Sequence, residues 1–166
     1  MSWKVVQQNS INSSNVEIEL EQTYSWMNNL DECQPLGGPN ENLTCVPTTC
    51  SIIPSISVRG KCDSYDVDLK FVVTKSTRSF TRVLNSEMFL MYRKQNWSSN
   101  ISNASNRTNS LVTMINLNRR SRTGQINSSP ITSMPSVITL PINTQQVIRI
   151  PMIDTDGDIV KCRWAN

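Results

Sequence analysis

The sequence predicts an all-β protein of β-sandwich architecture, and three observations lead there. Apolar and polar residues alternate with a period of two in several short runs. Clusters of Gly, Pro, Asn and Ser separate those runs. The composition is 37% hydrophobic and 17% charged, and 22 Ser, 14 Thr and 18 Asn fill the difference. Only two alanines occur, so the chain suits strands and polar turns and not long surface helices.

The elements follow in chain order. Val16, Ile18 and Leu20 alternate with Glu17, Glu19 and Glu21, which predicts a half-buried strand with the glutamates on its wet face. Residues 28–54 read as a loop rich in Cys, Pro and Gly. Val67, Leu69, Phe71 and Val73 alternate again and predict a second strand. The run MFLMY within Glu87–Arg93 is expected to be a central strand buried on both faces. Leu111–Leu117 reads as a further strand, and Arg119–Pro130 as a polar connector. Three more strands are expected at Ser136–Ile142, Gln146–Ile153 and Ile159–Trp164. The domain reading is therefore 1–124, a β-rich region with a cysteine loop at 31–62 and a glycan loop at 96–108. It is followed by 125–166, the opening strands of a second sandwich.

The five cysteines are Cys33, Cys45, Cys50, Cys62 and Cys162. They lack C-x₂-C pairing, and the chain has no histidine, so disulfides fit better than zinc. Four of them allow three pairings, which spacing does not resolve, and Cys162 is expected to bond outside the chain. N-x-S/T acceptors stand at Asn12, Asn42, Asn96, Asn100, Asn103, Asn106 and Asn127, four of them crowded into NWSSNISNASNRT. Oxidised cysteines and glycan acceptors together predict an extracellular or cell-surface glycoprotein. Met1–Ser14 lack the apolar core of a signal peptide, so the chain is expected to be an internal fragment or an incomplete gene model.

Several function classes are excluded. The net charge of +3 is too small to point to nucleic acid. No apolar run approaches the roughly 18 residues of a membrane span. Without histidine, Ser-His-Asp and Cys-His catalysis cannot be assembled, and among five glycines there is no phosphate-binding loop.

The closing segment, Ile150–Asn166, carries the sharpest pattern. Val160, Cys162 and Trp164 share one face of the expected last strand, an immunoglobulin-like arrangement in which the indole fills the space between sheets. The preceding turn, DTDGD, spaces Asp154, Asp156 and Asp158 at alternate positions and is a candidate calcium site. It is not an EF-hand, because Ile159 and Ala165 occupy the positions that need Gly and Glu. The competing reading is a turn whose carboxylates accept backbone N–H bonds.

The segment TGQINSSPITSMPSVITLP…IRIPMIDTDGDIVKCRWAN resembles a module of large animal extracellular proteins. Those carry an NSSP-type linker, an apolar strand and the motif D-x-D-G-D-x-V-x-C-R-W-A. Similar turns followed by a strand Trp occur in cadherin-like and PKD-like immunoglobulin-fold modules. The resemblance covers roughly 123–166 and implies an extracellular, disulfide-bonded, multi-module chain with further cysteines after the Trp. The leading expectation is a non-enzymatic structural or adhesion-type module with no resident cofactor. Its partners would be other modules of the same chain and an extracellular protein or glycan. The rival is a calcium-dependent recognition domain, carbohydrate-binding in one form, that uses the three aspartates.

Overall fold

The computed structural model describes residues 1–8, 14–27, 40–46, 50, 55–95, 108–135 and 138–163. Among the described residues, seven strands of three residues or more form two antiparallel sheets: β1 (Ser2–Gln8), β2 (Asn15–Met27), β3 (Thr44–Val46), β4 (Lys61–Asp66), β5 (Phe71–Val83), β6 (Glu87–Gln95) and β7 (Thr108–Asn116). One sheet has the order β1-β2-β5-β4 and the other β3-β6-β7. No α-helix occurs among the described residues. The all-β expectation therefore holds.

The spine is the pairing of β2 with β5, which runs without a break from Asn15↔Val83 to Met27↔Phe71. On β2 the even positions Val16, Ile18, Leu20, Gln22, Tyr24 and Trp26 are all buried, while Glu17 and Glu19 sit on the opposite face. The period-two pattern thus selects the inner face for the full length of the strand.

The sheets pack face to face around two apolar clusters. The larger joins Trp3, Val16, Ile18, Leu20 and Phe80 of the first sheet to Met88, Leu90 and Ile115 of the second. The smaller joins Tyr24, Trp26 and Val72 to Tyr92 and Val58. Trp26 meets Tyr92 edge-on, with ring centroids 5.7 Å apart. Each fully buried aliphatic side chain stabilises the fold by about 1.5–3 kcal/mol relative to exposure.

Three polar side chains on the inner face of β2 are hydrogen-bonded to one another or to β5. Gln22 accepts a hydrogen bond from the Tyr24 hydroxyl at 2.9 Å and donates to Ser76 Oγ at 3.2 Å. Trp26 Nε1 donates to Thr74 Oγ1 at 3.0 Å. Buried polar groups left unpaired would each cost about 1–3 kcal/mol.

Three expectations are corrected. Val67 and Leu69 lie in the turn 67–70, exposed, and not on a strand. The Leu69 N–H donates to Asp66 Oδ1 at 2.9 Å, and Lys70 takes a φ of 53°, so a side-chain cap closes the turn and the strand starts only at Phe71. The MFLMY run is buried on one face: Met88, Leu90 and Tyr92 point inward, and Phe89 is exposed.

The third correction concerns the C-terminal segment. Of the three strands expected after residue 130, the described residues carry only β8 (Ile131–Thr132) and β9 (Met152–Ile153), paired Ile131↔Ile153 and Thr132↔Met152. Residues 138–151 and 154–163 are not strand. Their apolar positions are open to solvent, with Ile142 at 87%, Val147 at 82% and Ile159 at 88% exposure. Alternation alone does not make a strand, because each backbone N–H and C=O needs a neighbour to complete the ladder.

Candidate functional site

The cysteine loop is tied into the sandwich. Cys45 lies on β3 opposite Leu90 and is bonded to Cys50, with their Cα atoms 5.7 Å apart. Cys50 is buried in the larger cluster, and Leu43 and Cys45 pack against it. Cys62 is also disulfide-bonded, and Cys33 lies outside the described residues. Cys162 is a free, exposed thiol beside Met152 Sδ. The loop also supplies core residues that the sequence pattern missed. Ile56 and Val58 are buried, and Leu43 N–H donates to the Ile56 carbonyl while Val58 N–H donates to that of Glu41.

Of the glycan acceptors, Asn42 and Asn127 are described and both are exposed. Asn12, Asn96, Asn100, Asn103 and Asn106 lie outside the described residues, as does Trp164.

Each of the three aspartates of the DTDGD turn has its own protein partner. Asp154 Oδ1 accepts the N–H of Asp156 at 2.9 Å and of Asp158 at 3.1 Å. Gly157 supplies a φ of 78°, which an L side chain rarely adopts. Asp156 Oδ2 accepts the Ser128 N–H at 2.6 Å. Asp158 forms an ion pair with Arg120, which also donates to Asn127 Oδ1. The hydrogen bond and charge of Asp158, with Asp156 and Asp154 beyond, raise the Arg120 pKa. Among the described residues no three Asp, Glu or Cys side chains come together as a metal site. The turn braces the 119–129 connector.

That connector is anchored in turn by Trp3. The Ser129 N–H donates to the Trp3 carbonyl at 3.0 Å, and the Trp3 N–H donates to Ser129 Oγ at 3.2 Å. The buried indole donates through Nε1 to the Met114 carbonyl at 2.9 Å. One residue therefore joins β1, β7 and the connector. No local signal marks it, since its partners lie 111 and 126 residues away.

Beyond Ser129 the chain passes over the outer face of the first sheet. A groove of about 730 Å³ lies between Tyr65, Phe71, Val73 and Lys75 on the sheet and Ile131 and Met134 above it. It mixes apolar walls with Glu21, Asp66 and the Asp63–Lys75 ion pair, whose atoms are 3.1 Å apart. Burial pushes the Tyr24 hydroxyl pKa well above the ordinary value. Tyr92, whose ring packs 6.3 Å from that of Tyr24, donates its hydroxyl hydrogen to Glu41 at 2.7 Å, and Lys94 lies 3.2 Å from the same carboxylate.

A scan of protein-family models and searches of curated proteins and solved structures found no match to this chain.

Proposed function

We propose that this chain is a non-enzymatic structural or adhesion-type module of a larger secreted or cell-surface glycoprotein. The observation that carries this reading is the Cys45–Cys50 bond seated against the apolar core. An oxidised pair built into a sandwich belongs to an oxidising compartment. The exposed acceptors Asn42 and Asn127 support the same compartment.

The architecture supports an immunoglobulin-like relationship for residues 2–116. Four strands ordered β1-β2-β5-β4 facing three ordered β3-β6-β7 is the seven-strand arrangement of constant-type immunoglobulin sandwiches. The exposed apolar residues between 138 and 159 are surface of the kind that a neighbouring module covers.

The test is expression in cultured animal cells behind an added signal peptide. The module reading expects secretion, a mobility shift on glycosidase treatment that is reduced by Asn42→Gln, and protection of Cys45 and Cys50 from alkylation before reduction. An unshifted band with both thiols alkylated overturns it.

A further inference from the structure

The outer face of the β3-β6-β7 sheet is apolar. Val46, Phe89 and Met114 form one row across the three strands, and Thr44, Met91 and Val112 the next. Val46, Phe89, Val112 and Met114 are 38% to 51% exposed. Three adjacent strands thus turn four large apolar side chains to solvent on one face, which is what a binding surface looks like.

The charges around this patch choose its occupant. Along β6 the outward positions are Glu87, Phe89, Met91 and Arg93, placed symmetrically about Leu90. Along β7 they are Ser110, Val112, Met114 and Asn116, symmetric about Thr113. A twofold axis across the strands at this level lays each strand antiparallel over its own copy. It sets Glu87 against the Arg93 of a second copy twice over, Phe89 against Met91, and Val112 against Met114. An isologous contact requires such self-complementarity. A groove of about 710 Å³ lined by Thr44, Val46, Met91 and Arg93, and also by Glu41 and the glycan acceptor Asn42, lies where the second copy's Phe89 would enter, so a glycan at Asn42 opposes the pairing.

We infer that this face is a self-association surface through which two copies of the chain pair by the outer sides of β3-β6-β7. The face is about 30 Å long and 10–14 Å wide, so each copy contributes roughly 350 Å² of flat sheet. That is below the approximately 800 Å² per partner of a tight complex. The association is therefore weak, suited to many copies displayed side by side where the effective concentration is high.

The test is sedimentation velocity of the glycosidase-treated full chain up to about 1 mM, with the charge variants Glu87→Arg and Arg93→Glu. Both residues are exposed, and because Glu87 also accepts hydrogen bonds from Asn116 and Asn118, the melting temperature of each variant is measured beside its association. Reversible dimerisation is expected, weakened about tenfold in each single variant. An equimolar mixture of the two single variants should pair as well as the original chain, because every Arg again meets a Glu. A species that stays monomeric throughout, or a dimer indifferent to both reversals, overturns the inference.

Discussion

Arg120 is ion-paired with Asp158 across a span of 38 residues. The first of these residues sits in the connector that leaves the sandwich. The second closes the DTDGD turn, and between them they hold the C-terminal segment in a closed loop. Because the pair is exposed to solvent, it adds little to global stability. Its effect is on local order. Asp158→Asn is expected to leave the midpoint of global unfolding within about 0.5 kcal/mol of the original. Amide exchange at Ser128 and Asp156 should accelerate several-fold, as read by exchange mass spectrometry. Unchanged exchange would show that the turn holds without its ion pair.

Calcium enters the same place. The three aspartates already accept hydrogen bonds from Ser128, Asp156, Asp158 and Arg120. Millimolar calcium is therefore expected to leave the melting temperature unchanged by differential scanning fluorimetry. A rise of several degrees that Asp156→Asn abolishes would instead mean that the carboxylates rearrange around a metal.

Glu41 gives the protein an acid-sensitive contact. The hydrogen bond from Tyr92, then the proximity of Lys94, holds its carboxyl below the ordinary carboxylate value of 4.5. A carboxylate with a depressed folded-state pKa stabilises the fold fully above its unfolded pKa. That contribution is lost as the pH falls through the lower, folded value. Urea titrations between pH 7 and pH 3 should show a drop in stability beginning near 4.5. Tyr92→Phe should flatten part of that drop and cost about 1 kcal/mol at pH 7.

Gly60 is a close-approach position. A Cβ placed there would stand 2.7 Å from the Lys75 carbonyl oxygen and 2.8 Å from its carbon, both on the backbone of β5. Gly60→Ala forces β4 and β5 apart and is expected to destabilise the domain by about 1–3 kcal/mol in chemical denaturation. A neutral effect would mean that the edge strand β4 shifts freely.

The Cys45–Cys50 bond closes a six-residue loop, for which chain entropy gives about 2 kcal/mol. Replacing both cysteines by serine removes that and also places a hydroxyl in the buried space of Cys50. The expected cost is about 2–4 kcal/mol in guanidinium denaturation. A cost below 1 kcal/mol would mean that β3 is held by its pairing to β6 alone.

What could be read from the sequence was local and periodic. Val16, Ile18 and Leu20 declared their strand because burial on one face writes itself into every second residue. The same rule misread Val67 and Leu69, where the Asp66 carboxylate captures an amide and turns the chain. It misread the C-terminal alternation for a different reason: a ladder needs a partner, and the described residues offer one only at Ile131–Thr132. Trp3 and Ser129 meet through the fold's closure, a relation with no sequence period at all. The cysteine pairing stayed ambiguous until β3 placed Cys45 next to Cys50.

The β2–β5 pairing sets a clock on synthesis. Asn15 finds Val83 only after another 68 residues have left the ribosome, which takes about 3–14 s at 5–20 residues per second. For that interval β2 travels with Val16, Ile18 and Leu20 uncovered and one edge of its backbone unmatched. Glu17, Glu19 and Glu21 line the other side of the nascent strand, and their mutual repulsion keeps neighbouring nascent chains from zipping together before β5 arrives.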